Sequence, residues 1–331
     1  MGLRVIDWVF AFITLSATFI GLCIFPANAF GGEAQLLRCW KSSDLKVKPR
    51  EQFAKRSKAG SKLTFKDYTF RGLPEIQKLM RGSIRRVSLR DDQKLVAITF
   101  DLCEGPFEIA GYDGSVIDYL REKKVKATLF VGGKWLENHK ERAAQLIADP
   151  LFEIGSHGWS HRNLRGMTGV RLWAEIERVQ FAYERAYDNL LARQCMKSTG
   201  LGLFKTNFGK PRKLSLFRFP FGTCSKEALT SVNKRGMLAV QWDVVTGDPA
   251  FGQSAKRIAS VVLARTKPGS IIIAHANGRG RNTAKALPLF IPKLRSKGYK
   301  FVTVSELLKS GTPQIAKTCY ENRPGDNSHY K

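Results

Sequence analysis

The chain alternates short apolar runs, rich in Val, Ile, Leu and Phe, with longer stretches in which apolar residues recur three or four apart. Runs near 95–101, 126–132, 152–156, 215–221, 238–245, 270–275 and 300–304 have the length and the β-branched and aromatic content of buried strands. Between them lie helix-like stretches such as DGSVIDYLREKK, ENHKERAAQLIAD, SKEALTSVNKRG and SAKRIASVVLART. Several of these open on Asp or Ser in a capping position and close near Gly or Pro. Strand and helix alternating through seven units predict a parallel α/β barrel or a doubly wound sheet. The basic stretch RQCMKSTGLGLFKTNFGKPRK (193–213) breaks the rhythm and reads as a loop inserted near the active-site rim. The polar tail after about Lys309 reads as extended or frayed.

Several of the apolar runs end on a polar residue. LVAITF ends at Asp101, LFEIG precedes His157 and His161, LFRFPFG contains Arg218, and SIIIA precedes His275. A parallel α/β fold builds its active site at the carboxyl ends of its strands, so these residues are candidates for chemistry. A carboxylate, two histidines four apart, an arginine and a late histidine make a hydrolase inventory. In SHGWSHRNL the spacing of His157 and His161 puts two imidazoles on one side of a helical turn, which suits metal capture. Two imidazoles do not complete a site, so a third ligand must come from another strand.

Composition changes the picture in three ways. The chain opens MGLRVIDWVFAFITLSATFIGLCIFPANAF, with a lone Arg4, an apolar stretch and a small-x-small site at Ala27-Asn28-Ala29. This is a signal-peptide pattern with cleavage after Ala29, so a secreted or periplasmic protein is expected, the alternative being an anchored one with its domain outside the cytoplasm. The formal net charge of +27 points to anionic cell-envelope polymers as partners; no nucleic-acid motif accompanies it, and none is expected to bind. Cys39, Cys103, Cys195, Cys224 and Cys319 follow the leader, an odd number for an oxidising compartment. Position beside strand ends favours a Cys103–Cys224 pair, with Cys39–Cys319 tying the ends of the domain together. The expected organisation is a leader over 1–29, a basic, loosely structured extension over 30–93, a catalytic domain over 94–310 and a polar tail over 311–331.

TFDLCEGP, SHGWSH, RFPFG, WDVVTGDP and IIIAHANG together resemble, in order, the motifs of the polysaccharide deacetylases, the NodB-homology domains of carbohydrate esterase family 4. The resemblance runs from about residue 94 to 308. It implies a distorted (β/α)7 barrel and a divalent metal, usually zinc, serving hydrolysis of N-acetyl groups on an aminosugar polymer. Peptidoglycan, a chitin-like oligomer and an exopolysaccharide are all open as substrates. Position by position, Asp101 matches the catalytic base, His157 and His161 the metal histidines, and Arg218 the arginine that orients the base. The backbone N–H of Phe221 matches the oxyanion donor and His275 the general acid. In that scheme metal-bound water attacks the acetamide carbonyl, Asp101 takes its proton, and His275 protonates the departing amine.

Two departures stand out. Where the resemblance places a metal-binding aspartate directly after the base, this chain has Leu102. Glu104 is the nearest substitute and Cys103 a softer one; a third arrangement has Asp101 itself on the metal and another group as base. In the fourth motif Val245 falls on an aspartate position while Asp248 keeps the later one, so Asp243 becomes the candidate to polarise His275 or pair with Arg218. Trp135 and Trp159 are candidates for stacking on sugar faces and equally for core packing. The incomplete ligand set leaves a second reading open, a catalytically weak or inactive carbohydrate-binding member of the same fold.

Overall fold

The central strand is β2, Leu95–Leu102, preceded by β1, Ser83–Leu89. Almost every residue of β2 is buried because both of its faces are covered. Val96, Ile98, Phe100 and Leu102 join a large outer core, whereas Ala97 joins a separate inner one. Alternation therefore sends 97, 99 and 101 inward and 96, 98, 100 and 102 outward. This computed structural model describes residues 36–57, 73–90, 92–197 and 213–326.

The remaining strands of this sheet are β3 (Ala127–Val131), β4 (Phe152–Ser156), β5 (Leu216–Phe217), β6 (Leu238–Val240), β7 (Val244–Val245), β8 (Ile271–His275), β9 (Lys300–Phe301) and β10 (Gly311–Ala316), and a separate short antiparallel pair joins Lys55–Arg56 to Glu108–Ile109. The sheet runs β10-β1-β6-β5-β4-β3-β2-β8-β7, with β9 added beside β2. All neighbours are parallel except β10 with β1. The sheet curls until β1 meets the start of β8, where Arg86 bridges Ser270 and the Val87 N–H donates to the Gly269 carbonyl at 3.0 Å. Seven strands thus enclose an interior filled by Ile84, Ala97, Phe130, Leu216, Val240, Ile271 and Ile273. Strands β5 and β6, of two and three residues, make the ring irregular. A distorted (β/α)7 barrel is the architecture expected from the sequence.

Helices α1 (Gly114–Glu122), α2 (Gly133–Asn138), α3 (Lys140–Ala148), α4 (Gly169–Leu191), α5 (Lys226–Lys234), α6 (Ala255–Arg265) and α7 (Thr283–Ser296) alternate with the strands. Val116, Ile117 and Leu120 of α1 and Leu287, Phe290, Ile291 and Leu294 of α7 bury the outer face of β2. Helix α8 (Val304–Lys309) contributes Val304 and Leu307 to the inner cluster, and β9, just before it, pairs with the start of β2. The amino end of the barrel is therefore packed, and the carboxyl end carries the functional groups.

The ends of the domain differ from the sequence expectation. The basic extension was expected to run to residue 93, yet Ser83–Leu89 is a barrel strand, because Ile84 and Val87 supply an inward apolar pair amid the charges. Residues 36–57 are also tied down. Leu36, Trp40 and Leu45 enter the outer core, and Arg142 of α3 donates to Glu51 at 2.7 and 2.8 Å and to the carbonyls of Asp44 and Lys46. Part of the tail, read as frayed, is β10, which pairs antiparallel with β1 and satisfies its outer edge. The disulfides are Cys39–Cys195 and Cys224–Cys319, not the two pairs expected, and Cys103 is free and buried. Pairing by proximity to strand ends misled because Cys103 faces the interior while Cys224 turns toward the tail. The leader, residues 58–72 and most of the basic stretch 193–213 lie outside the described residues.

Candidate active site

Asp101 sits on the inward face of β2, one residue from its end, and its register partner on β8 is His275. Parallel strands lie about 4.8 Å apart, so base and acid candidates stand side by side at the barrel mouth. Arg218, fully buried just after β5, reaches across the interior and donates to Asp101 Oδ1 at 2.9 Å. The same guanidinium donates to Thr99 Oγ1 at 2.7 Å and to the carbonyls of Val240 and Gln241, and lies 3.9 Å over the Phe130 ring. With its donors spent on fixed acceptors, Arg218 holds the carboxylate in one orientation. Burial alone would raise the Asp101 carboxyl, but its electrostatic contacts with His157, Arg218 and His275 and the Arg218 hydrogen bond outweigh it and hold the group below the ordinary aspartate range.

His157 follows β4. Its Nδ1 lies 2.8 Å from the Arg218 carbonyl oxygen, an acceptor only, so Nδ1 carries the proton. Burial pulls His157 below the usual histidine range, which leaves a neutral ring whose Nε2 lone pair faces Asp101 Oδ2 at 3.3 Å. Two acceptors facing each other inside a protein are a cost unless a cation lies against them. His161, four residues on, has φ of 51°, left-handed for a residue with a Cβ, so the pair stands on an irregular loop after β4 and not on the helical turn expected from the spacing, and its ring lies 5.2 Å from that of His157. Burial, reinforced by His157, lowers it well below the histidine range too. Both rings are thus neutral, the state a metal ligand requires. The Sγ of Cys103 completes a group with one ring nitrogen from each histidine, the three donor atoms all within 4.8 Å of one another.

His275 is the opposite case. Its Nδ1 is 2.8 Å from Asp248 Oδ1, and its backbone N–H donates to Asp248 Oδ2 at 2.8 Å. Burial lowers the imidazole, but the Asp248 carboxylate more than offsets it, and the group lies above the usual histidine range. Thr246 and Thr283 donate to the same carboxylate and hold it in place. Phe221, in the loop after β5, has φ of 59° and sets its ring 4.5 Å from that of His161.

Four sequence assignments are corrected by this geometry. Glu104 is not at the histidines. Its carboxylate faces the outer layer, where it accepts from the Ala110 N–H at 3.1 Å and from Asn138, and pairs with Lys134 Nζ at 3.3 Å. Asp243 does not serve His275 or Arg218. It accepts from Ser270 Oγ and the Ile271 N–H, both at 2.8 Å, at the far end of β8, about 13 Å from His275 at the usual strand rise. The partner of His275 is Asp248. Neither Trp135 nor Trp159 faces the mouth. Trp135 is fully buried, stacks on His139 and donates to the Gly111 carbonyl at 3.0 Å. Trp159 packs so closely on Gly133 that a Cβ there would lie 2.2 Å from the indole. Exposed aromatic side chains near the mouth belong instead to Phe107, Phe221 and Phe251, on loops that follow β2, β5 and β7. The motifs predicted only Phe221 among them, because a single exposed Phe on a loop carries no periodic signal.

A family model described as polysaccharide deacetylase matches residues 88–193, the part of the chain that supplies Asp101, His157 and His161. Over those residues the chain is similar to the polysaccharide deacetylases. A peptidoglycan-N-acetylglucosamine deacetylase of Bacillus cereus is 29% identical over 217 residues, covering 65% of this chain and 68% of that protein. A chitooligosaccharide deacetylase of Bradyrhizobium sp. is 27% identical over 64% of this chain and 90% of its own length. Among solved structures, a CE4 family pseudoenzyme from Bacillus anthracis superposes with a TM-score of 0.54 at 21% identity, covering 71% of this chain and 72% of that one, a likeness of fold. The chain keeps the carboxylate, arginine and histidines that its motifs predict, and departs from the motif resemblance at the residue after Asp101.

Proposed function

We propose that the protein hydrolyses N-acetyl groups on an aminosugar polymer of the cell envelope, with peptidoglycan the substrate class best supported. The observation that carries this reading is the pairing of opposite proton carriers at one barrel mouth: Asp101 bonded to Arg218 and shifted toward its ionised form, and His275 bonded to Asp248 and shifted toward its protonated form. Asp101 accepts the proton of the attacking water. His275 returns a proton to the amide nitrogen as the C–N bond breaks, so acetate and a free amine leave. The Phe221 backbone N–H is assigned to the charge developing on the acetyl oxygen. The donor set fits a divalent metal, since two neutral imidazoles and a thiol converge where the His157 and Asp101 lone pairs face each other. Zinc, held by His157 and His161 with Cys103 within reach, would lower the pKa of water and polarise the acetyl carbonyl.

The names of the relatives support peptidoglycan over the other glycans, and the formal charge of +27 suits an anionic wall. Two disulfides accord with export through the N-terminal leader into an oxidising compartment. A second reading, a weakly active glycan binder, draws on Leu102 standing where a metal aspartate is expected. Acetate release from a panel of acetylated glycans, with Asp101→Asn beside the native protein, tests the proposal. Release by the native protein that chelation abolishes and zinc restores supports hydrolysis. Equal release by both proteins refutes the role of Asp101, and glycan binding without acetate release supports the second reading.

A further inference from the structure

Among the described residues Cys103 is the free cysteine, and it stands in the histidine cluster rather than alone. Strand parity explains its position. Position 101 faces the interior, 102 faces the helix layer, and 103, just past the strand end, returns to the side of Asp101. Leu102 is therefore spent on the outer core, and Glu104 on Lys134 and Asn138. A second observation concerns the sulfur itself. Asn277, buried in the loop after β8, donates from Nδ2 to the Cys103 carbonyl at 2.8 Å and to Sγ at 3.3 Å. An amide N–H aimed at sulfur uses it as an acceptor, and outer hydrogen bonds of this kind orient metal ligands; burial pushes the Cys103 thiol well above the ordinary cysteine range, so a bound metal would have to displace its proton.

We infer that Cys103 is the third protein ligand of the metal, binding as a thiolate beside His157 and His161, so that the site selects zinc and similar borderline ions over magnesium and manganese. The inference rests on the deacetylase reading for the presence of a metal and adds the ligand that fixes which metal. A thiolate with two imidazoles is a soft-to-borderline set that suits zinc, whereas magnesium and manganese prefer oxygen donors. Three protein ligands also leave a fourth position open, as catalytic zinc sites do.

X-ray absorption at the zinc edge of the full chain, stripped by chelator and reloaded with one equivalent of zinc, tests the assignment without a variant. The expected first shell has one sulfur at about 2.3 Å and nitrogen or oxygen at about 2.0–2.1 Å. A shell of nitrogen and oxygen alone overturns it. Asn277→Leu is expected to weaken zinc binding about 10- to 100-fold, and unchanged affinity counts against the inference. In Cys103→Asp the preference for zinc over manganese falls; an unchanged ratio counts against it too. If Cys103→Asp fails to fold, the absorption spectrum of the native protein decides alone. Zinc held only by nitrogen and oxygen in a protein that releases acetate defeats the Cys103 assignment and leaves the deacetylase reading intact. Failure of the native protein to retain zinc or release acetate defeats both.

Discussion

Replacing Arg218 by methionine probes the core of the site, because the two side chains are similar in length and only one carries charge. Arg218 is wholly buried, and its loss leaves the equally buried Asp101 without its main fixed partner, with Thr99 and two carbonyls losing donors. Breaking a buried ion pair from one side costs about 3–5 kcal/mol, which for a domain of this size lowers the Tm by on the order of 10 °C. The pH dependence gives the sharper test. In the native protein the folded-state pKa of Asp101 is depressed, so its contribution to stability is present above the unfolded aspartate value of about 3.9 and is lost as pH falls through the folded value. Without Arg218 the burial effect, already the largest single influence, is opposed mainly by histidines, and the folded-state pKa moves up. The stability difference between the two proteins is then greatest near neutrality and narrows as acid protonates Asp101. Near-ultraviolet circular dichroism melts of both proteins, in chelator and from pH 7 down to pH 4, measure it. A loss below about 1 kcal/mol at neutrality, or the same loss at every pH, refutes the account of Arg218 as the group that keeps a buried Asp101 ionised.

Asp248→Asn removes the charge that raises His275, so the alkaline limb of the acetate-release profile moves to lower pH, whereas Asp243→Asn, at the other end of β8, leaves that limb in place. The matched profiles distinguish the two carboxylates. Glu104→Ala leaves the buried Lys134 charge without its carboxylate and with backbone carbonyls alone; its Tm falls while its zinc content, measured by mass spectrometry, stays at the native level. Gly133→Ala forces a methyl group against the Trp159 indole and costs about 1–3 kcal/mol in chemical unfolding, the penalty of overpacking. Cys224→Ser paired with Cys319→Ser opens a link between residues 95 apart and lowers stability by about 2–5 kcal/mol in chemical unfolding, and reducing agent, which also opens Cys39–Cys195, lowers that of the native protein further.

Much of the site was legible because catalytic side chains of a parallel barrel fall at the ends of apolar runs. Asp101, His157 and His275 each follow or end such a run, and the structure brings them to one mouth. The assignments that shifted share a cause. Choosing Glu104 as ligand counted residues along the chain, but a ligand must share a face with its partners, and the carboxylate at 104 points outward. Parity with Asp101 was a signal already present, and it favours Cys103. Asp243 failed for a related reason, since the start of β8 is a full strand length from its catalytic end. The strand at 83–89 escaped notice because its few apolar positions, Ile84, Val87 and Leu89, are interrupted by arginines and serine, and it is held by neighbours that no local pattern announces.

By itself the sequence determined the alternating elements, and its motif order pointed to the barrel class and to Asp101, His157, His161 and His275 as the candidates for chemistry, because strand period and motif order are local properties of the chain. Tertiary structure decided which cysteines pair, which aspartate serves His275, and which donor joins the histidines. Those choices depend on distances between strands and on which face of a strand a side chain occupies, quantities that exist only once the sheet has curled and closed.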